Sequence, residues 1–259
     1  MGNNKLLASL VPGSAIPVIK HGISGLVAGG DGNGCFFTSD FTEDNWDDLG
    51  NQDSNGGDDY SSTGIVSDKL RIIGDSTTAG QDSGAVAIRE MSEGLGTSWN
   101  IRFNYTTGSS STFPATNKNA YLWIGVTSDS TYTSSQGANN QSGDACFWRW
   151  HMNPEDKNIP CRTINGGSNT ETSNAQANVS WVNSTVYYWE LTYDNSTFSA
   201  KQFTNADYDT QTGTTTTVSD SGLTGMNYLL VGTAKDSIVG DWIIDVNEIK
   251  VANDTTEAC

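Results

Sequence analysis

Residues 144–152 read DACFWRWHM. Along an extended strand alternate side chains leave opposite faces, so Cys146, Trp148, Trp150 and Met152 point one way while Phe147, Arg149 and His151 point the other. The first row predicts a core shared between two layers, because large apolar side chains bury well. The second row, an aromatic with an arginine and a histidine, predicts a decorated outer surface.

The same period extends outward along the chain. In SWNIRFNYTT (98–107), Trp99, Ile101, Phe103 and Tyr105 share a face opposite Asn100, Arg102 and Asn104. In NAYLWIGVTSD (119–129), Leu122, Ile124 and Val126 oppose Tyr121 and Trp123. CFFTSDF, GIVSDKLRII, GAVAIRE, TVYYWELTYDN, TFSAKQFTN, TTTTVSD, MNYLLVGTA and DWIIDVNEIKV read as further strands between Gly, Asn and Asp turns. GIVSDKLRII and GAVAIRE read as a pair joined through Gly74 to Gly84. NWDDLGNQDSNGGDDYSS (45–62) reads as a long acidic loop, and 153–176 as an irregular one. Short links make neighbouring strands antiparallel, and about a dozen of them stack as two sheets. The fold class is therefore all-β, a two-sheet antiparallel sandwich preceded by an N-terminal extended arm.

Composition narrows the partners. Thirteen Lys+Arg against 30 Asp+Glu give a net charge of −17, a surface that repels phosphate, so no nucleic acid is expected. No apolar run approaches the roughly 20 residues of a membrane span. Residues 1–34 carry Pro12 and Pro17 among short apolar pieces and end in GGDGNG. Such a segment has too little apolar area to fold alone. It reads as an arm that orders on a neighbouring subunit of a homo-oligomer, with a tail or a secretory signal as alternatives. The domains expected are thus the arm 1–34, the sandwich 35–252 and a C-terminal tail 253–259. Four cysteines allow a Cys146–Cys161 bridge across the Pro160 loop, a Cys35–Cys259 bridge if first and last strands adjoin, or free thiols in a reducing cytoplasm.

The order DFTEDNW, KLRII, SWNIRFNYTT, AYLWIGVTSD, STVYYWELTYDNSTFSAKQFTNADYDT, GLTGMNYLLVG, GDWIIDVNEIKVAN resembles the concanavalin A-like lectin/glucanase sandwich over about residues 36–252. It is similar above all to the laminin-G-like jelly-roll domains carried by viral structural and cell-surface proteins. The resemblance implies a jelly roll with a concave glycan-binding groove and a structural calcium near the strand ends. It also implies a virion structural protein, a capsid decoration or tail-fibre module attached through residues 1–34, here expected as a homotrimer. The alternative is a secreted extracellular lectin.

Catalysis is not expected. Glucanase relatives use a Glu-x-Asp-x-x-Glu strand, but here Ile243 stands at the first carboxylate of Ile243–Glu248, and Asp245 and Glu248, three apart, fall on opposite faces of a regular strand. For sugar, stacking faces and planar polar groups single out Arg102, Tyr121, Trp123, Phe147, Arg149, His151 and Tyr188. For calcium, which takes six to eight oxygens, the candidates are Asp44, Asp47 and Asp48 of the acidic loop, with Asp40 and Asp245 on the first and last strands.

Overall fold

A computed structural model describes residues 35–39, 41–42, 46–53, 61–74, 83–109, 119–130, 142–151, 158–159, 161–172, 176–177, 182–236, 242–256 and 258–259. The arm 1–34 lies outside the described residues. Seventeen strands follow one another: β1 (Phe37–Ser39), β2 (Asp47–Asp53), β3 (Ser61–Ile65), β4 (Leu70–Gly74), β5 (Ser83–Leu95), β6 (Trp99–Thr107), β7 (Asn119–Thr127), β8 (Ala145–His151), β9 (Asn158–Ile159), β10 (Cys161–Asn165), β11 (Ser168–Glu171), β12 (Gln176–Ala177), β13 (Val186–Tyr193), β14 (Thr197–Phe203), β15 (Gln211–Ser219), β16 (Met226–Asp236) and β17 (Trp242–Asn253). One sheet of eight strands runs β15-β14-β13-β6-β17-β4-β3, with β1 also on β17. A second of seven runs β11-β10-β8-β7-β16-β5-β2, and β12-β9 form a small pair.

The alternation read along the sequence is what packs these sheets. Trp99, Ile101, Phe103 and Tyr105 of β6 are buried inward, as are Leu122, Ile124 and Val126 of β7 and Cys146, Trp148 and Trp150 of β8. Trp148 crosses the gap: its ring lies 4.8 Å from Trp189 and 5.3 Å, edge-on, from Phe103, both on the eight-stranded sheet. An aromatic that loses 150–250 Å² to the interior gains roughly 4–6 kcal/mol before entropy is counted. The two layers are thus held by the tryptophan of the DACFWRWHM stretch.

Several expectations are corrected. GIVSDKLRII is not one strand but a hairpin, β3–β4, which turns at Ser67 and Asp68 with φ of 53° and 57° and closes through the Val66 N–H to the Lys69 carbonyl at 2.9 Å. Two consecutive left-handed residues make the tight turn that matches strand twist, but without Gly or Asn the turn leaves no mark in the sequence. Nor do β4 and β5 pair: β4 lies between β3 and β17, and β5 between β2 and β16 in the other sheet. The acidic stretch contributes β2, and the segment after Met152 contributes β9 to β12.

The cysteines resolve in favour of the chain ends. Cys35 and Cys259 are bridged, with Cα atoms 5.0 Å apart, because β1 pairs with the end of β17, Phe37 opposite Val251. Cys146 and Cys161 are free and buried, so the bridge expected between them is absent. The register gives the reason. Cys146 stands opposite Thr163 and Cys161 opposite Trp148, which leaves the thiols diagonal. Diagonal neighbours sit about 7–8 Å apart, beyond the reach of a disulfide. Residues 253–259 are tied to the sandwich by Cys259 and by the Thr256 carbonyl, which accepts from Asn100 Nδ2 at 3.3 Å.

Candidate functional site

The seven expected sugar-binding residues do not form one surface. Arg102 and Tyr188 lie on the outer face of the eight-stranded sheet. There Arg102 pairs with Glu190 at 2.9 Å and stacks 4.4 Å over the Tyr208 ring, and Tyr188 meets Tyr208 edge-on. Lys201 completes the group, 3.5 Å from Glu190. Trp123, Phe147 and Arg149 lie on the far side of the sandwich, on the outer face of the seven-stranded sheet. Tyr121 and His151 stand opposite each other one step beyond Trp123 and Arg149 in the β7–β8 register. Trp123 and Phe147 are not open: at 1% and 0% exposure they join Val86, Ile88, Ala145, Ile164 and Leu230 in a second apolar cluster. The outward row is therefore another core, and Gly125 makes it possible. Gly125 lies opposite Phe147, and a side chain there would meet the Cys146 carbonyl and the Phe147 ring.

A different region has the chemistry of a polar binding site. At one end of the seven-stranded sheet the loops β7–β8, β10–β11 and β15–β16 converge on two aspartates. Asp144, just before β8, accepts the Gly166 N–H at 3.1 Å through Oδ1 and the Thr224 N–H at 3.2 Å through Oδ2. Its own N–H donates to Ser128 Oγ at 2.9 Å. One carboxylate thus joins three loops. Asp220 ties the same loops from the other side, accepting Thr163 Oγ1–H at 2.8 Å and Asn165 Nδ2–H at 3.1 Å. Its carbonyl takes the Tyr193 hydroxyl at 3.3 Å, and that oxygen accepts the Leu223 N–H. Asp129 accepts both the N–H and the hydroxyl of Ser142, so both ends of segment 131–141 are pinned.

Backbone geometry explains why glycine recurs here. Gly166, Gly167, Gly222 and Gly225 have φ of 52°, 86°, 82° and 67°, values that cost other residues energy. The rim they form is exposed and rich in acceptors and amide donors. Each oxygen of Asp144 and Asp220 accepts only one of the bonds above, so lone pairs remain for further donors.

Calcium does not fit the described residues. None of them stand as a group of three or more His, Cys, Asp or Glu able to hold a metal. Asp245 is clamped by Arg71 through two hydrogen bonds of 2.7 and 2.9 Å. Asp47 and Asp48 are consecutive on β2, and Asp40 and Asp44 lie outside the described residues. The carboxylates of β17 also depart from expectation. A bulge between Val246 and Glu248 inserts a residue, so Asp245, opposite Thr106, and Glu248, opposite Asn104, fall on the same outer face. Both are engaged, Asp245 by Arg71 and Glu248 by Lys250 at 3.0 Å.

The loop rim escaped sequence reasoning because its residues come from three separate connections. Its signals were present as turn chemistry, NGG at 165–167, SGD at 142–144 and SDSGLTG at 219–225.

No protein-family model and no curated protein sequence matches the chain. Solved structures do match. The exoplasmic/lumenal domain of VIP36, in a form bound to Ca2+ and Man3GlcNAc, aligns with a TM-score of 0.52 at 13% identity, over 83% of this chain and 87% of its own. Lectin I from Ulex europaeus, in complex with the methyl glycoside of α-L-fucose, aligns with a TM-score of 0.51 at 13% identity, over 83% and 95%. Peanut lectin with a nine-residue peptide aligns at 0.50 and 12% identity, over 83% and 95%. The chain therefore has the concanavalin A-like jelly-roll fold that these lectins share.

Proposed function

We propose that the chain is a non-enzymatic carbohydrate-binding module that works in an oxidising, extracellular setting, and that sugar hydroxyls bind at the loop rim. The observation that carries this reading is the convergence of three loops on Asp144 and Asp220. It gives a preorganised, exposed row of carboxylate, amide and backbone groups, which matches hydroxyl recognition and is held before any ligand arrives. The lectin fold of its structural neighbours supports the ligand class, and the Cys35–Cys259 bridge supports the compartment.

A narrower form of the reading makes the module a virion component, a capsid decoration or tail-fibre domain held by residues 1–34. The register bears on it. Phe37 pairs with Val251, Asn253 with Trp99, and Trp99 with Tyr193, whose hydroxyl reaches Asp220. The segment before Cys35 therefore leaves from the same end of the sandwich as the rim. Attachment through it would hold the rim toward the particle, so removing residues 1–34 should release the chain from its assembly and open the rim to glycans.

Screening the full-length protein on immobilised oligosaccharides, then titrating hits into wild type and Asn165→Ala, tests the main reading. It predicts measurable binding that weakens at least fivefold in the variant. Binding that survives Asn165→Ala and Asp144→Ala unchanged would remove the rim from the account.

A further inference from the structure

On the outer face of the seven-stranded sheet, three charged side chains from three adjacent strands meet beside the buried Trp123–Phe147 pair. Arg149 of β8 donates from Nη2 to Glu171 Oε1 at 2.6 Å. Arg162 of β10 donates from Nε to Glu171 Oε2 at 3.1 Å, and its Nη2 contacts the same oxygen. The pairing explains the meeting: Arg162 stands between Glu171 of β11 and Phe147 of β8, and Arg149 lies one outward position along from Phe147. The arginine side chains are 16% and 12% exposed and the glutamate 30%, so the carboxylate is the more accessible partner.

Two guanidiniums share one carboxylate, which leaves the trio at +1 in a chain of −17. One arginine would satisfy Glu171. A second, largely enclosed against an apolar cluster, is a charge whose desolvation is better offset by two acceptor groups than by one. Arg162 turns its Nε/Nη2 edge to Glu171, and its Nη1 edge lies outside that contact. The remaining negative charge of the molecule is screened beyond about 8 Å at physiological salt, so the local sign governs short-range capture.

We propose that Arg149 and Arg162 form a subsite for an anionic oxygen group on the glycan, a uronate carboxylate or a sulfate ester, and that Glu171 occupies it until the ligand arrives. This rests on the glycan-binding reading and names the sugar class. Both groups present the paired oxygens that a guanidinium fork recognises. The subsite and the rim share one hairpin: Asn165 pairs with Ser168 at the turn, and Arg162 pairs with Glu171 three residues further down, about 10 Å along the strand. A short oligosaccharide seated at Gly166 therefore reaches the arginines along β10.

The test follows the arginine Nε–H and backbone amide signals of the full-length protein by NMR. Sodium sulfate, sodium D-glucuronate and D-glucose are titrated separately at constant ionic strength. Saturable shifts of Arg162 Nε–H and the Glu171 amide are expected with sulfate or glucuronate and not with glucose. Sulfate alone would name a sulfate ester, and glucuronate alone a uronate. Arg162→Gln should weaken the response at least fivefold, and Glu171→Gln should strengthen it severalfold by removing the competing carboxylate. No saturable anion response in folded wild type and folded Glu171→Gln overturns the proposal, whatever neutral sugars do. Loss of the rim reading, seen as unchanged neutral-glycan binding in Asn165→Ala, leaves this titration a separate outcome.

Discussion

Replacing both members of the terminal bridge, Cys35→Ser with Cys259→Ser, probes how far the fold depends on joining its first and last strands. The bridge spans 224 residues of sequence. Chain-entropy reasoning gives an upper value of about 5.4 kcal/mol for closing a loop that long at 25 °C. The structure lowers it. β1 has three residues, and with the last few residues it can detach locally while β6, β13 and β17 stay paired, so part of the constraint is lost without global unfolding. A loss of about 2–5 kcal/mol is expected. With a urea m-value near 3 kcal/mol/M for a sandwich of this size, the midpoint falls by roughly 1–2 M. The double variant avoids a leftover thiol that could exchange with Cys146 or Cys161. Urea unfolding followed by tryptophan fluorescence measures the shift directly, since Trp99, Trp148 and Trp189 are fully buried. A midpoint change under about 0.3 M would refute the view that the bridge constrains the whole sandwich rather than a frayed strap.

Other expectations follow from particular side chains. Gly125→Val should destabilise by about 1–3 kcal/mol in urea, because the new Cβ stands 2.9 Å from the Phe147 backbone, which cannot move aside. Trp148→Ala should cost about 3–5 kcal/mol, and an effect below 1 kcal/mol would deny it the bridging place between the sheets. Burial pushes the Cys146 and Cys161 thiols up, which keeps them neutral. At pH 8 a thiol reagent should find neither in the native protein and both after unfolding without reductant, whereas rapid native labelling would contradict their burial. Asp194 accepts the Ser196 hydroxyl and the Ser196 and Thr197 N–H groups, which hold its carboxyl below the usual value. A depressed carboxyl contributes stability above its unfolded pKa that is lost as pH falls, so Asp194→Asn should flatten the acid side of the stability profile below about pH 5, and an unchanged profile would reject the assignment.

The inward rows were legible because burial on one face imposes a period of two, and Trp99 to Tyr105 and Cys146 to Trp150 carry it without interruption. Three features were hidden for physical reasons. Trp123 and Phe147 alternate outward as read, yet a period specifies which side a residue faces and not what lies over it, so a second core looked like a binding surface. The Ser67–Asp68 turn uses left-handed residues that are not glycine, so one apparent strand is two. The bulge after Val246 breaks the count along β17 and moves Glu248 to the face of Asp245. The rim depends on contacts between residues as distant as Asp144 and Thr224, which pair only once the sheet exists.

The most direct test of the account maps a bound oligosaccharide onto the native protein by amide chemical shifts. The account predicts saturable changes centred on Ser142, Asn165, Gly166 and Thr224, fading toward the opposite ends of β7 and β10. Changes confined to Arg102, Tyr188 and Tyr208 on the other outer face, or none with any oligosaccharide the protein retains, would contradict it.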